Sequence, residues 1–175
     1  GLDFQGKLQA QEFNIGTFIR NKSLGKATFR STLSGLIRDE ELGGSKFYID
    51  SISIKKIEFN KYPYSNIYSV GSYVDKRFDG RVICHDPNLD FIFQGIFGRS
   101  AKRDSYYDFF ADVAYADLAA LKLDSRDSIS VVSFKTTANY TQKLDGEILG
   151  KISVRSMEYK NRNGEFNIGD ISIQS

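Results

Sequence analysis

Phe78-Asp79-Gly80-Arg81-Val82-Ile83-Cys84-His85-Asp86-Pro87-Asn88-Leu89-Asp90-Phe91-Ile92-Phe93-Gln94 holds two alternating runs around one turn. Phe78, Val82 and Cys84 share one parity, against Asp79, Arg81 and Ile83 on the other. Leu89, Phe91 and Phe93 alternate in the same way with Asp90, Ile92 and Gln94. Successive side chains of an extended chain leave opposite faces, so each run predicts a strand with one apolar face. Asp86-Pro87-Asn88 supplies the turn between them, because Pro presets φ and Asp and Asn bond their own backbone.

The same pattern extends in both directions. Ala27, Phe29 and Leu33 alternate with Lys26, Thr28, Arg30 and Thr32. Phe109, Ala111 and Val113 alternate with Phe110, Asp112 and Ala114, and Val132 and Phe134 with Ser133 and Lys135. Gly43-Gly44, Asp79-Gly80, Asp145-Gly146 and Asn163-Gly164 are read as further turns, the last as a hairpin between Tyr159 and Phe166. Two short segments carry helical signals. Asn14 to Asn21 places Ile15, Phe18 and Ile19 at helical spacing behind a capping Asn14, and Ala116 to Lys122 has the best helix formers of the chain. Both are short enough to be plugs on a sheet.

An internal echo links the two halves. Ile52-Ser-Ile54-Lys-Lys-Ile57-Glu58-Phe59 returns as Ile152-Ser-Val154-Arg-Ser-Met157-Glu158-Tyr159, and Tyr64-Ser-Asn-Ile67 as Phe166-Asn-Ile168. In both copies the apolar parity slips by one residue at the same place, which predicts a β-bulge. Residues 1–175 are expected to form a single β-repeat module, with sub-repeats at about 1–100 and 101–175.

Composition narrows the function classes. The 175 residues include 14% aromatics, all Phe and Tyr, and only 2 Pro. A net charge of +2 gives no case for nucleic acid. One cysteine excludes a disulfide framework and multi-cysteine metal sites. One histidine, His85, leaves a nucleophile triad nothing else to use. His85 and Asp86 are neighbours on a strand and point apart, so neither is expected to be catalytic. Cys84 has apolar parity and is expected to be a small buried hydrophobe. Asp86-Pro-Asn88-Leu-Asp90 opens like a calcium loop, but loop positions 6 and 12 are Phe91 and Phe97, so the match fails. No metal ligand set, catalytic residue or cofactor is expected. Asn21-Lys-Ser23 and Asn139-Tyr-Thr141 match the glycosylation pattern, which arises often by chance. The pairs Lys55-Lys56, Lys76-Arg77 and Lys102-Arg103 are read as edge-strand gatekeepers. No run approaches about 18 apolar residues, so no transmembrane helix is expected. Gly1 in place of Met reads as the scar of a cleaved tag, and the chain as an excerpt of a longer protein.

Several motifs, in order, carry a resemblance. They are Phe13-Asn-Ile-Gly16, Asn21-Lys-Ser-Leu24-Gly25-Lys26 with a strand to Gly35, and Ile57-Glu-Phe-Asn-Lys-Tyr62-Pro-Tyr64-Ser-Asn66-Ile67. Phe78-Asp-Gly80 with Asp86-Pro-Asn88-Leu-Asp-Phe91, and Ala111-Asp112-Val113-Ala114-Tyr115-Ala116-Asp117-Leu118-Ala119-Ala120-Leu121, complete the set. Together they resemble the repeating module of the AsmA-like/TamB-like translocation and assembly proteins of Bacteroidetes. The resemblance implies a long periplasmic protein, anchored in the inner membrane and reaching the outer membrane. It implies a curved antiparallel, taco-like sheet with an apolar groove, and a role in outer-membrane biogenesis. No catalytic residues come with it.

The residues expected to line such a groove are those of apolar parity: Phe29, Leu33, Ile52, Ile54, Phe78, Val82, Leu89, Phe91, Phe93, Phe109, Val113, Ile152 and Val154. The expected cargo is phospholipid or another hydrophobic molecule, since an acyl chain gains ~0.8 kcal/mol per buried CH₂. Outer-membrane β-barrel assembly proteins are a second expected partner, through β-augmentation. The alternative is a structural β spacer without ligand, its sheet closed around an ordinary core. Edge-strand dimers are expected through Gln5–Gln11 or Ile168–Gln174.

Overall fold

The computed structural model describes residues 2–18, 20–38, 45–100 and 104–175. The chain is mainly β and antiparallel. It divides into two compact units, Gly1–Asp86 and Pro87–Ser175. The boundary falls at the Asp86-Pro87-Asn88 turn.

The first unit is a meander of β1 (Leu2–Asn14), β2 (Leu24–Ile37), β3 (Lys46–Phe59), β4 (Tyr62–Val74) and β5 (Arg77–Asp86), each antiparallel to the next. The second is a meander of β6 (Leu89–Arg99), β7 (Ser105–Asp117), β8 (Ser130–Gln142), β9 (Ile148–Asn161) and β10 (Gly164–Gln174). Within each unit, among the described residues, strands pack chiefly on their sheet neighbours, with Phe4 of β1 reaching across β2 to Phe47 of β3, and the single helical turn α1 (Ile15–Phe18) packs on β2 and, through Phe18 against Phe13, on β1. Among the described residues no second layer covers either unit's sheet from within that unit. Among the described residues the buried apolar positions are correspondingly few and mostly small, Ala27, Cys84, Ala116 and Ala138 beside Tyr62, Leu121 and Val132, and the largest fully buried side chains are Leu121, Cys84 and Ser130.

The echoed parity slip is a bulge in both halves. Thr28 pairs with Lys56 but Phe29 with Ile54, leaving Lys55 as the extra residue of β3. Ser133 pairs with Glu158 but Lys135 with Arg155, so β9 carries its extra residue between them. Ser156 there has φ 51°, and its N–H donates to Asp170 Oδ1 at 2.9 Å. The second half of the echo is offset: Phe166 lies opposite Tyr159 as Tyr62 lies opposite Phe59, so Phe166 corresponds to Tyr62 and not to Tyr64.

Other local expectations divide. Asn14 caps α1, accepting from the Thr17 N–H at 3.0 Å. Pro87-Asn88 and Leu144-Asp145 form turns, and Gly146 follows with φ 94°. Asn163 closes the β9–β10 turn with Gly164 opening β10. Asp79-Gly80 is not a turn: both lie inside β5, opposite Ser72 and Gly71. The turn is Asp75-Lys76, both left-handed at φ 53° and 61°. Gly80 serves close approach instead, since a Cβ there would lie 2.9 Å from the Gly71 Cα and 2.7 Å from the Phe78 ring. Ala116 to Lys122 is not a helix either. Ala116 and Asp117 end β7, and one turn follows, with Leu121 N–H bonded to Asp117 O and Ala120 N–H to Asp117 Oδ1, both at 2.9 Å. Short helices nucleate poorly, so packing decides here, and the turn drives Leu121 into the unit. Lys55-Lys56 sits in β3, an interior strand of its meander, and so cannot guard an edge. Lys76-Arg77 lies at the β4–β5 turn. Gly1, Ile19, Gly43-Gly44 and Lys102-Arg103 lie outside the described residues.

β1 pairs only with β2, and β10 only with β9, among the described residues. Each therefore presents one row of backbone groups without a strand partner, the usual template for edge pairing. Both edges carry bulges, between Ala10 and Phe13 and around Gly169, which break β1 into regular stretches at Leu2–Ala10 and Phe13–Asn14 and β10 into Gly164–Asn167 and Ile171–Gln174. Sedimentation over a concentration series is expected to show reversible dimers. A monomer at every concentration would show that the bulges suffice to protect the edges.

Candidate functional site

Registers determine which side chains share a face. In unit 1, Phe29 is opposite Ile54, Ile54 opposite Ile67 and Ile67 opposite Cys84. The next row runs Leu8, Ser31, Ile52, Ser69, Val82, and the one after it Gly6, Leu33, Ile49, Gly71, Gly80. A further row sets Phe4, Gly35, Phe47, Tyr73 and Phe78 side by side. All the groove-lining residues expected in this unit, Phe29, Leu33, Ile52, Ile54, Phe78 and Val82, therefore lie on one face.

Unit 2 repeats the arrangement. Phe91 is opposite Val113 and Val113 opposite Phe134; Phe93, Ala111, Thr136, Val154 and Ile171 form a row; Gly95, Phe109, Ala138, Ile152 and Ile173 form another. Leu89, Ala116, Val132 and Tyr159 close the series. The expected residues of this half, Leu89, Phe91, Phe93, Phe109, Val113, Ile152 and Val154, again share one face. Each of the expected positions in both units is half-buried, neither sealed nor fully exposed. That follows from a single sheet in each unit: same-face neighbours shield the lower part of each side chain, and among the described residues of its own unit no opposing layer covers its tip.

Aromatic rings fill the space between these side chains. Phe93 contacts Phe109 with ring centroids 5.3 Å apart, and Tyr107 stacks on Tyr140 at 4.6 Å. Burial, and secondly Tyr107, push the Tyr140 hydroxyl above its ordinary pKa. Phe4 lies across Gly35, where a Cβ would sit 2.9 Å from the ring. A glycine under an aromatic ring lets the ring lie flat on the sheet.

One end of each face is closed by a polar cluster. In unit 1, Asp86 is 6% exposed and accepts from Tyr62 Oη, from Ser65 N–H at 2.9 Å and from Ser65 Oγ at 2.7 Å. Burial, then the Asp86 carboxylate and Cys84, raise the pKa of Tyr64. In unit 2, Asp124 accepts from Arg126 and from Ser130 Oγ at 3.1 Å, and Ser130 Oγ lies 3.3 Å from Tyr159 Oη. Hydrogen bonds from the Arg126 guanidinium and backbone hold the Asp124 carboxyl well below the usual carboxylate range. The echoed glutamates take different tasks. Glu58 Oε2 accepts from Lys26 N–H at 3.1 Å, whereas Glu158 borders a depression of about 430 Å³ on the other face, with Ser133 and Asn167.

Cys84 is 0% exposed, with its Sγ 3.7 Å from Ser65 O, whereas its neighbour His85 is exposed. A thiol reagent is expected to label Cys84 slowly in the folded chain and readily in denaturant. Fast native labelling would contradict its burial. Asn21 and Asn139 are exposed. Among the described residues no group of three or more His, Cys, Asp or Glu is placed to hold a metal ion, and no helix is long and apolar enough to cross a membrane.

Two features escaped the sequence. Asp86 looked like the start of a turn and is also a buried acceptor, which only its meeting with Tyr62 and Ser65 reveals. Ser31 and Ser69 lie among the apolar rows. Ser31 did carry a signal, since it has the parity of Ala27, Phe29 and Leu33. The chain matches no family model, no curated protein and no solved structure.

Proposed function

We propose that this chain is a module of a TamB-like periplasmic protein in outer-membrane biogenesis, and that its apolar β surface conducts phospholipid or a similar hydrophobic cargo. The parent protein is anchored in the inner membrane and reaches toward the outer one, with the sheet curved into a groove. The observation that supports this is the half-buried apolar face of each unit, on which every expected lining residue is found. Soluble proteins rarely leave contiguous apolar surface uncovered without a use. Acyl chains cover such a face without directional contacts, while headgroups stay in water, and no bond is made or broken. The unpaired edges of β1 and β10 favour a second activity, transient pairing with strands of outer-membrane β-barrel proteins.

Native mass spectrometry of the purified chain, before and after incubation with phospholipid vesicles, tests the conduit. Bound phospholipid that survives dilution is the expected result. Absence of lipid in every preparation would overturn it, and would leave a spacer or a strand chaperone.

A further inference from the structure

We propose that the polar face of unit 1 binds a phosphate group between Arg30 of β2 and Lys55 of β3. This face is the one opposite the apolar rows, so the site does not depend on the conduit reading. Gln9, Arg30, Ser53 and Tyr68 form one row of it. Lys55 joins them as the extra residue of the β3 bulge, and a bulge re-aims the side chain it carries. A depression of about 430 Å³ opens there, its polar lining made by Gln9, Gln11, Thr28, Arg30, Ser53 and Lys55. No carboxylate lines it. Among the described residues neither the Arg30 guanidinium nor the Lys55 ammonium has a hydrogen-bond or ion-pair partner. Glu12, next along β1, is paired with Lys26 at 3.8 Å.

The echo in unit 2 carries the same cations in neutralised form. Ala10, Phe29 and Ile54 stand side by side as Ala111, Thr136 and Val154 do, so Gln11 corresponds to Asp112 and Lys55 to Arg155. Arg155 lies opposite Lys135, and Asp112 holds the Lys135 Nζ at 3.1 Å. Unit 1 has an amide where unit 2 has that acid. Two cations on one depression repel each other, and a bound anion relieves the repulsion. The anion must accept from several directions, because the Arg30 fork, the Lys55 ammonium, the Ser53 hydroxyl and the Gln9 and Gln11 amides offer donors from three strands. Thr28 Oγ1 accepts from the Glu12 N–H and keeps its own proton to give. A carboxylate has two oxygens in one plane. A phosphate has free oxygens around a tetrahedron, two of which match the Arg30 fork. Free phosphate and the phosphomonoester of a lipid headgroup both carry that group.

Amide NMR of the 175-residue chain at low salt, titrated with inorganic phosphate and separately with acetate, tests the site. Phosphate is expected to shift the Gln9, Arg30, Ser53 and Lys55 signals saturably, and to bind at least about threefold tighter than acetate. Arg30→Gln is expected to weaken phosphate about fivefold or more. Gln11→Asp copies unit 2, leaves both cations in place and is expected to abolish binding. Lys151→Gln removes a β9 lysine and is expected to change nothing. All three positions are exposed, so each variant keeps the fold. Equal binding of acetate, shifts spread over every exposed cation, or undiminished binding by Gln11→Asp would overturn the inference. Sedimentation with phosphatidylcholine vesicles, with and without phosphatidic acid, identifies the source. Pelleting that requires phosphatidic acid and is lost in Arg30→Gln assigns a lipid headgroup. Saturable phosphate binding without such pelleting assigns free phosphate.

Discussion

Asp86→Ala is expected to lower the melting temperature of the 175-residue chain by about 10–15 °C, from a loss of about 3–5 kcal/mol. The carboxylate gathers Tyr62 Oη, Ser65 N–H and Ser65 Oγ at a site where both Asp86 and Tyr62 are under 10% exposed. Truncation removes the acceptor of the buried Tyr62 hydroxyl and of the half-buried Ser65 N–H and hydroxyl, and hydrogen bonds to a charged group are about twice as strong as neutral ones. Asp86→Asn keeps one oxygen but turns an NH₂ toward groups that themselves donate, so an intermediate loss is expected. Cys84 lies two residues away and reports locally: thiol labelling across the melt should become fast at the lowered temperature in both variants. A variant that melts with the parent chain would mean that water replaces the carboxylate and that the cluster is not closed.

Phe93→Asp is expected to leave unit 2 folded and to abolish lipid carriage. Phe93 is half-buried, opposite Ala111, with its ring against Phe109. Its loss removes a ring pair and part of a side-chain burial, about 1–2 kcal/mol, which shifts the melt by a few degrees. On an uncovered face the new carboxylate stays hydrated. Beneath a second layer it would be desolvated, at a cost of several kcal/mol against a native stability of ~5–15 kcal/mol. On the conduit proposed above, the same charge is expected to cut bound lipid at least tenfold, and to weaken the envelope of cells in which the parent protein carries it. Collapse of the fold would favour the closed spacer. A stable fold with undiminished lipid binding would remove Phe93 from the conducting surface.

Much of the architecture was legible because β structure writes a period of two into the chain. Phe29 and Leu33 in β2, and Leu89, Phe91 and Phe93 in β6, could be assigned to one face of their strand by counting alone. The slip between Ile54 and Ile57, repeated between Val154 and Met157, located both bulges without any partner strand, because an extra residue inverts parity wherever it occurs. Asn14 announced its cap and Cys84 its burial by equally local rules. The errors came where two local signals competed. Asp79-Gly80 has the composition of a turn, yet Asp75-Lys76 makes it, because the β4–β5 register sets Gly71 against Gly80, where bare backbones approach closely. Ala116 to Lys122 has helical propensity, yet a few residues of propensity cannot outweigh the sheet that Ala116 and Asp117 complete and the burial of Leu121.

The sequence by itself determined the class of fold, the apolar and polar faces of its strands and the sites of the bulges, since all are consequences of side-chain alternation along one chain. The tertiary structure decided which strands pair and in what register, that the division falls after Asp86, and that among the described residues no strand of a unit folds back to cover that unit's sheet. It also decided that Asp86 is held by Tyr62 and Ser65 while the Ser31 Oγ has no hydrogen-bond partner among the described residues. Those outcomes depend on register between strands far apart in sequence, and burial or hydrogen bonding is a property of the neighbours a residue acquires, which its own place in the chain does not encode.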